Sequence, residues 1–275
     1  MTAEGARKGS GATRFDDVRR YREVGSTNDV AADLVRGGAA EGVVVVADHQ
    51  TAGRGRWGRA WTARPGSSLL VSVVLRPGPE DGPLTLIPLA CGLAAADACL
   101  DAAGFAPGLK WPNDLVVGGA KLGGILTELV PDADGGPPAV VAGLGLNLTW
   151  PVEDADPNPA IVAADAVAGR TVERERVLEA FLVRLQQHYR SETPLLADYR
   201  RRCVTIGEDV RVALPGDAVV EGEAVDIAPD GRLAVLEHRG ELRLIAAGDV
   251  VHVRTSPDPF DSTGPEGRKA SSARR

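Results

Sequence analysis

GVVVVADHQTAGRGRWGRAWTARPGSSLLVSVVL, residues 42–75, joins two apolar runs through a loop rich in glycine and arginine. The runs at 42–47 and 67–75 consist mainly of β-branched and other apolar residues and have the length of strands. Such runs predict buried strands, because β-branched side chains pack well on a pleated surface. We therefore expect residues 53–59, called the Arg/Gly loop below, to be held between two buried strands.

The residues on both sides of this segment alternate between helical and strand patterns. Ser26 or Thr27 is a candidate cap for a short helix that ends at Gly37 and Gly38. Further helices are predicted at 86–103, 172–190 and 194–202. Further strands are predicted at 109–117, 120–130 and 140–148. Because hairpins rather than regular βαβ units join these strands, the pattern favours an α+β fold, a mixed sheet with flanking helices.

From residue 203 onward, brief strands alternate with turns rich in proline and glycine. This pattern predicts a small β-barrel at 203–254, which follows a main domain at 15–202. The two ends of the chain, 1–14 and 255–275, are rich in glycine, serine and charged residues and have few apolar anchors. Both ends are therefore predicted to be disordered.

The composition narrows the class of protein. A formal net charge of −7 argues against broad electrostatic binding to nucleic acid. By eye the sequence contains neither a targeting segment nor the run of about 18 apolar residues that a membrane span needs, which favours a cytoplasmic protein. The three cysteines, at 91, 99 and 203, form no CxxC or Cys/His cluster, so neither a disulfide framework nor a metal site is predicted.

The stretch HQTAGRGRWGRAW, residues 49–61, combines glycines with Arg54, Arg56 and Arg59. Glycine-rich backbone can present N–H groups to an anion, and arginine side chains match carboxylate and phosphate oxygens. The stretch is neither a Walker loop nor a dinucleotide fingerprint, because it lacks GxxxxGK[ST] and does not open a helix. A small anion site is therefore one interpretation, and a solvated or RNA-contacting loop is the other.

A second polar cluster occurs in KWPNDLVVGGAKLGG, residues 110–124. Gly118 and Gly119 predict a hairpin turn, which would bring Asn113, Asp114 and Lys121 close together. A turn with surface lysines is the better interpretation for Lys110. Lys121 is the stronger candidate for a functional cation, because two glycines directly after it expose backbone beside its ammonium group.

Five stretches together resemble the biotin protein ligase family in order and approximate spacing. They are GSTN (25–28), HQTAGRGRWGRAW (49–61), LKWPNDL (109–115), KLGGIL (121–126) and GLGLNL (143–148). The resemblance implies a catalytic domain like those of class II synthetases and lipoate ligases, followed by an SH3-like domain. It also implies a monofunctional member, because only a short segment precedes the ligase region where other members have a DNA-binding domain. One departure is Gly123, where the family usually has alanine.

The resemblance also implies roles for individual residues. The residues implied for biotin are Ser26, Thr27, Asn28, Gln50, Gly53, Arg54, Gly55, Arg56, Lys121 and Gly124. The residues implied for ATP are Arg56, Trp57, Arg59, Trp61, Asn113, Asp114, Lys121 and Asn147. Catalysis is assigned to Arg54 and Arg56, which would hold the biotin carboxylate and the α-phosphate, and to Lys121, whose charge would reduce the repulsion between these anions.

The implied activity is the ATP-dependent formation of biotinoyl-AMP, followed by transfer of biotin to a lysine of a biotin carboxyl carrier protein or domain of an acyl-CoA carboxylase. Mg²⁺ is expected to bind mainly through the phosphates of ATP and water. We expect a monomer or homodimer that binds neither nucleic acid nor membranes. A lipoate or octanoate ligase or transferase is the nearest alternative function, and an RNA-binding module is an alternative of another class.

Overall fold

The structure, a computed structural model, describes residues 7–8, 13–132, 135–149, 160–189, 195–216 and 218–252. The first sheet contains β1 (Arg7–Lys8), β2 (Asp17–Val24), β3 (Val43–Gln50), β4 (Ser68–Leu75), β5 (Gly108–Lys110), β6 (Asp114–Val117), β7 (Ala120–Val130) and β8 (Ala139–Asn147). The helices are α1 (Thr27–Arg36), α2 (Ile87–Ala103), α3 (Ala164–Ala168), α4 (Arg174–Tyr189) and α5 (Leu195–Arg202). The second sheet contains β9 (Asp209–Ala213), β10 (Val219–Ile227), β11 (Leu233–Glu237), β12 (Leu242–Ile245) and β13 (Asp249–His252).

The first sheet is mixed, which confirms the predicted α+β class. Its strand order is β1-β2-β3-β4-β8-β7-β6-β5. Strands β2 and β3 run parallel and are joined through α1, whereas the other recorded neighbours are antiparallel. Strand β2 was not predicted, because its sequence DVRRYREV is mostly polar. The sheet thus contains one βαβ unit, and hairpins supply most of the other connections.

Helices cover both faces of this sheet. On one face, α1 packs Ala31 and Val35 against Val43 and Val45. The opposite face packs the even-numbered valines of β3 against the layer that contains α2 and α4. Residues Val43–Val46 are each at most 4% exposed, which explains why this strand is a continuous apolar run rather than an alternating one.

Helix α2 is the central helix of the apolar layer. It ends at Ala103, as predicted, and is followed by Gly104, which has a left-handed φ of +85°. Burial raises the pKa of the thiols of Cys91 and Cys99 to about 12, so they serve as apolar fillers. The segment Leu84–Ala103 is long and apolar enough to cross a membrane, which the sequence analysis overlooked, but most of it is buried inside the protein.

Two predicted elements differ in detail from the structure. Ser26 occupies the N-cap position of α1, but its side chain makes no capping hydrogen bond. The predicted strand at 109–117 is interrupted by a turn at 111–113, which contains a cis Trp111–Pro112 peptide bond. The interruption separates β5 from β6 and gives Asn113 a turn position.

The ends of the chain are only partly described. Arg7–Lys8 pairs antiparallel with the start of β2, at Asp17 and Val18, although disorder is predicted for 1–14. Residues 1–6, 9–12 and 253–275 lie outside the described residues. The proposed limits of the domains and of the disordered ends therefore remain predictions.

The C-terminal region forms its own antiparallel sheet in the order β12-β11-β10-β9-β13. Within the described residues the recorded pairings leave β12 and β13 as edges, so hydrogen bonds between them do not close the predicted barrel. Trp111 connects this sheet to the main domain, because its indole N–H donates to Gly231 O at 3.0 Å and its backbone N–H donates to Thr205 Oγ1 at 3.0 Å. Arg200 of α5 adds an ion pair with Asp226 at 2.7 Å.

We expect Trp111→Phe to lower the free energy of unfolding by about 1–3 kcal/mol, because the buried carbonyl of Gly231 loses its donor. Urea unfolding of the purified variant measures this change. Trp57→Phe is the control, since Trp57 is 51% exposed and its loss should change stability by less than about 0.5 kcal/mol. Equal stability of the two variants would show that the indole bond does not stabilise the contact between the domains.

Candidate active site

A cavity of about 380 Å³ opens on the face of the sheet that also carries α1. The start of α1, the end of β3, the Arg/Gly loop, β7 and β8 surround it. The predicted site residues that line it are Ser26, Thr27, Asn28, Gln50, Arg54, Gly55, Arg56, Trp57, Arg59, Trp61, Asn113, Asp114, Lys121, Gly124 and Asn147. The volume lies within the range of small-molecule sites, so one ligand pocket collects residues that are far apart in the sequence.

Gly53 is the predicted site residue that does not line the cavity. A Cβ atom on Gly53 would lie 2.5 Å from the backbone oxygen of Trp61 and 2.8 Å from Gln50 Nε2. Gly53 therefore supports the base of the Arg/Gly loop, where Trp61 N donates to Gly53 O at 2.9 Å. Its role in the site is to permit close packing beneath the cavity.

A β-bulge decides which way Lys121 points. In the pairing of β6 with β7, Leu115 is opposite Gly123 while Val116 is opposite Lys121, so Leu122 is an extra residue. Leu122 is fully buried in the apolar layer on the α2 side. The extra residue shifts the alternation and places Lys121 on the same side as Gly124, in the cavity.

The ammonium group of Lys121 has two neighbours in the cavity. Its Nζ lies 2.7 Å from Asp114 Oδ1 and 5.7 Å from the centre of the Trp61 ring. A Cβ atom on Gly124 would lie 3.2 Å from the same Nζ, so glycine at this position leaves room for the ammonium group. The side chain of Lys121 is 38% exposed and can be reached by a ligand.

The three arginines of the Arg/Gly loop have different partners. Arg54 forms a bidentate pair with Asp29, with both distances 2.7 Å, and approaches Glu128 at 3.3 Å. The hydrogen bonds to Arg54 lower the pKa of Asp29, and the same bonds raise the pKa of Arg54. The guanidinium of Arg54 is therefore held at the start of α1.

Arg56 and Arg59 instead face the C-terminal sheet. Arg56 donates to Gly248 O at 3.0 Å and to Asn113 Oδ1 at 3.3 Å, and within the described residues it has no carboxylate partner. Burial lowers the pKa of Arg56, although the guanidinium remains charged. Arg59 pairs with both carboxylate oxygens of Asp249. Asp249 of β13 thus lines the cavity, and Gly248, just before β13, bonds to Arg56.

Thr27, Asn28 and Gln50 line the opposite end of the cavity and are connected by polar contacts through Ser72. Gln50 Oε1 accepts bonds from the backbone N–H of Thr27 at 2.7 Å and from its hydroxyl at 2.9 Å. Ser72 Oγ lies 2.8 Å from Thr27 Oγ1 and 2.6 Å from Asn28 Oδ1. Thr27 and Asn28 belong to α1, whereas Gln50 and Ser72 belong to the sheet, so these polar contacts join the helix to the sheet.

The alternating glycines of β8 make room for side chains of the site. A Cβ atom on Gly143 would collide with Asn28 Oδ1, and one on Gly145 would lie 2.6 Å from the Trp61 ring. Glycines in a strand allow a ligand or another part of the protein to approach that face closely. Both glycines do line the cavity, so they admit the two side chains and leave them beside the ligand space.

The two tryptophans of the loop region differ in their surroundings. Trp57 is exposed and has a φ of +59°, a left-handed conformation that is uncommon for a bulky residue. Trp61 packs on Gly145, and its indole N–H is buried without a hydrogen-bond partner among the residues that the structure describes. Trp61 therefore presents an aromatic face to the cavity, with Lys121 above it.

Four polar residues of the site were not predicted. Ser72, Asp29, Glu128 and Asp249 all bond to predicted residues. Ser72 had a detectable signal, because it is the single hydroxyl within the apolar run LLVSVVL. Asp249 had none, because it lies 190 positions after its partner Arg59.

The cavity thus has a neutral polar end, a cationic end and apolar walls. The cationic end contains Arg56, Arg59 and Lys121, and the apolar walls contain Leu126, Leu144 and Ile161. Such a site can bind a small molecule with an uncharged polar head and bring its anionic end against a phosphate. Within the described residues no group of three or more His, Cys, Asp or Glu side chains could hold a metal ion.

Comparisons with known proteins agree with this chemistry. Residues 22–147 match the Biotin/lipoate A/B protein ligase family, and residues 205–253 match the Biotin protein ligase C terminal domain. The chain is 41% identical over 255 residues to a biotin--[acetyl-CoA-carboxylase] ligase of Mycobacterium tuberculosis. This match covers 90% of the present chain and 91% of that protein. It is 32% identical over 238 residues to the bifunctional ligase/repressor BirA of Bacillus subtilis, covering 82% of this chain and 72% of that protein.

The fold is also similar to solved structures. A biotin protein ligase of Aquifex aeolicus in complex with biotin and ATP superposes with a TM-score of 0.71 at 26% identity, covering 86% of this chain and 99% of that chain.

We expect Gly145→Ala to lower the free energy of unfolding by about 1–3 kcal/mol and to change the near-ultraviolet circular dichroism of the tryptophans, because the added methyl group displaces Trp61. Gly25→Ala is the control, since a Cβ atom there would meet nothing within 4 Å. Both substitutions remove one glycine from the chain, so they match in their effect on the unfolded state. An unchanged tryptophan spectrum in Gly145→Ala would contradict the packing described above.

Proposed function

The chain belongs to the biotin protein ligase family, and on that premise we propose that the cavity binds biotin at its neutral polar end and ATP at its cationic end. The enzyme is an ATP-dependent biotin protein ligase. We assign the site on one observation: Lys121, Arg56 and the Thr27–Gln50 pair line the same cavity, although they come from four separate segments of the chain. The individual ligand contacts below are proposals.

The first chemical step joins two anions. A carboxylate oxygen of biotin attacks the α-phosphorus of ATP, the bond from that phosphorus to the bridging oxygen breaks, and pyrophosphate leaves with the electron pair. Repulsion between the carboxylate and the phosphates opposes this approach, so a positive charge held beside both of them lowers the barrier. Lys121 supplies that charge, because its ammonium group lies at the cationic end of the cavity, where the carboxylate of biotin would meet the phosphates of ATP.

Asp114 fixes the position of Lys121 before the substrates bind. The carboxylate lies 2.7 Å from Nζ and limits the rotamers of the long side chain. An ammonium group already in place has less entropy to lose when the transition state forms. Trp61 lies under the same ammonium group and supplies an aromatic surface for the adenine or ribose of the nucleotide.

Arg56 contributes in another way. It bridges the Arg/Gly loop to Asn113 and to the carbonyl of Gly248, so it closes one side of the cavity. A closed cavity keeps water away from the mixed anhydride that the first step produces. Because Arg56 has no carboxylate partner among the described residues, its guanidinium is free to bond an oxygen of the α-phosphate.

The second step transfers biotin to the carrier. The amine of a carrier lysine attacks the carbonyl carbon of biotinoyl-AMP, an amide bond forms, and AMP leaves with the electron pair of the broken C–O bond. We propose that this carrier is the biotin carboxyl carrier protein or domain of an acyl-CoA carboxylase, since the Mycobacterium tuberculosis relative is named for such a carboxylase.

The described residues fit a magnesium ion that ATP itself brings. Mg²⁺ usually keeps several water ligands and binds through phosphates with one or two carboxylates. Asp114 and Asp249 are the acidic residues that line the cavity, and both are engaged with cations. When bound, the ion neutralises phosphate charge, and these two carboxylates are the groups that would approach it.

A cytoplasmic location is part of this proposal. The three cysteines are free and buried, as suits a protein of a reducing compartment. The oligomeric state, monomer or homodimer, remains a prediction.

A lipoate ligase is disfavoured because the C-terminal domain matches that of biotin protein ligases, and the enzymatic assignment disfavours an RNA-binding module.

We expect Lys121→Ala to reduce biotin-dependent pyrophosphate release at least about a hundredfold, a loss of roughly 2–3 kcal/mol of transition-state stabilisation. Lys110→Ala is the matched control, because Lys110 lies at the end of β5 and does not line the cavity. Its rate should stay within about twofold of the parent enzyme. Near-normal pyrophosphate release by Lys121→Ala would refute the proposed role of the ammonium group.

We expect Arg56→Ala to form the adenylate but to release it into solution, because the cavity loses the bridge to Gly248 and Asn113. The free adenylate should then label lysines of an added bystander protein such as serum albumin. Blotting with a biotin-binding protein measures this label. Arg36→Ala, on the exposed side of α1, is the control and should leave the bystander unlabelled. An equally unlabelled bystander with Arg56→Ala would contradict the role of Arg56 in retention.

A further inference from the structure

We infer that Glu128 is a positioning residue that ties the Arg/Gly loop to the biotin end of the cavity, with Arg54 bound to one carboxylate oxygen and Asn28 bound to the other. The inference rests on the proposed function, because it concerns how tightly biotin binds. It also changes the role of Arg54, which the sequence analysis had assigned to the biotin carboxylate and the α-phosphate.

The two oxygens of Glu128 have separate partners. Oε2 accepts a hydrogen bond from Asn28 Nδ2 at 2.6 Å, and Oε1 accepts one from Arg54 at 3.3 Å. Glu128 lies on β7, the strand that also carries Lys121 and Gly124. One carboxylate therefore joins the first turn of α1, the central sheet and the Arg/Gly loop.

Arg54 is not available to bind the reacting anions. Both of its terminal nitrogens donate to Asp29 at 2.7 Å, and one of them also donates to Glu128. Asp29 and Glu128 therefore occupy the edge of the guanidinium that an incoming anion would use. Arg54 therefore anchors the loop to α1, and Arg56 is the arginine left to meet the substrates.

Asn28 is also fully engaged by the protein. It is 4% exposed, its Oδ1 lies 2.6 Å from Ser72 Oγ, and its Nδ2 donates to Glu128. Gly143 provides the space that this side chain fills, since a Cβ atom there would collide with it. Asn28 therefore acts by orienting Ser72, Thr27 and, through Thr27, the Gln50 side chain at the biotin end.

Loss of the Glu128 carboxylate has two physical consequences. The buried amide of Asn28 loses its strongest acceptor, which favours rotation of the side chain and disturbs the Thr27–Gln50 contact. The Arg/Gly loop loses one of its two carboxylate anchors at Arg54. Both changes affect the binding of biotin, whereas Lys121, Arg56 and Asp114 keep their own contacts and the chemical step should be preserved.

The test compares Glu128→Gln with Glu179→Gln, an exposed glutamate of α4 far from the cavity. Initial rates of pyrophosphate release are measured with biotin and with ATP as the varied substrate. We expect Glu128→Gln to raise the KM for biotin by about tenfold or more, with kcat and the KM for ATP within about threefold of the parent. Glu179→Gln should change none of the three. An unchanged KM for biotin, or a fall in kcat alone, would overturn the inference.

A double-mutant cycle tests the connection to Arg54. Arg54→Ala should raise the KM for biotin as Glu128→Gln does, and the double variant should be less impaired than the product of the two single effects. A fall in kcat with an unchanged KM for biotin in Arg54→Ala would overturn the role given to Arg54. Thermal unfolding of each variant separates a loss of folding from a change in binding, since a variant that is merely unstable also loses kcat per added enzyme.

The parent enzyme distinguishes failure of the inference from failure of the function. If the parent protein releases no pyrophosphate in the presence of biotin and ATP, the proposed function fails and the inference fails with it. If the parent is active and Glu128→Gln binds biotin as tightly as the parent, only the inference is wrong. Glu128→Asp provides a rescue test, because a shorter carboxylate that still reaches Asn28 should restore part of the lost affinity.

Discussion

On one face of the first sheet, the strands have to be apolar beneath α1 and polar a few residues further along. The arrangement of the other elements follows from this requirement. On β8, Val141 packs against α1, whereas Gly143, Gly145 and Asn147 on the same face line the cavity. A buried polar group without a partner costs about 1–3 kcal/mol, so buried polar side chains at the transition are more stable with a partner. The chain through Gln50, Thr27, Ser72, Asn28 and Glu128 satisfies that condition.

Most of the cations that line the cavity are paired as well. Arg54, Arg59 and Lys121 each have a carboxylate partner, and only Arg56 lacks one among the residues described. The pairs are partly exposed, so each contributes little to stability, and their main effect is to hold long cationic side chains in place. An arriving carboxylate or phosphate meets charges that are already oriented, which lowers the entropy cost of assembling the transition state.

The C-terminal sheet takes part in the site rather than being a separate appendage. Gly248 O accepts a bond from Arg56, and the carboxylate of Asp249 pairs with Arg59. The buried Trp111 and the Arg200–Asp226 pair fix this sheet against the main domain at points away from the cavity. The geometry of the Arg/Gly loop therefore depends on both domains, since two of its three arginines bond to residues at the start of β13 or just before it.

Local sequence patterns were enough to predict the buried strands around the Arg/Gly loop, helices α2 and α4, and the family, because periodicity and short motifs encode these features. It also named residues that meet in one cavity, with Gly53 as the exception. Four features became visible only in the folded chain: β2 is a strand, an extra Leu122 turns Lys121 toward the cavity, Asp29 and Glu128 hold Arg54, and Asp249 reaches the site. These features depend on pairings between residues distant along the chain, and no local pattern specifies which distant partner a strand register or a charged side chain will meet.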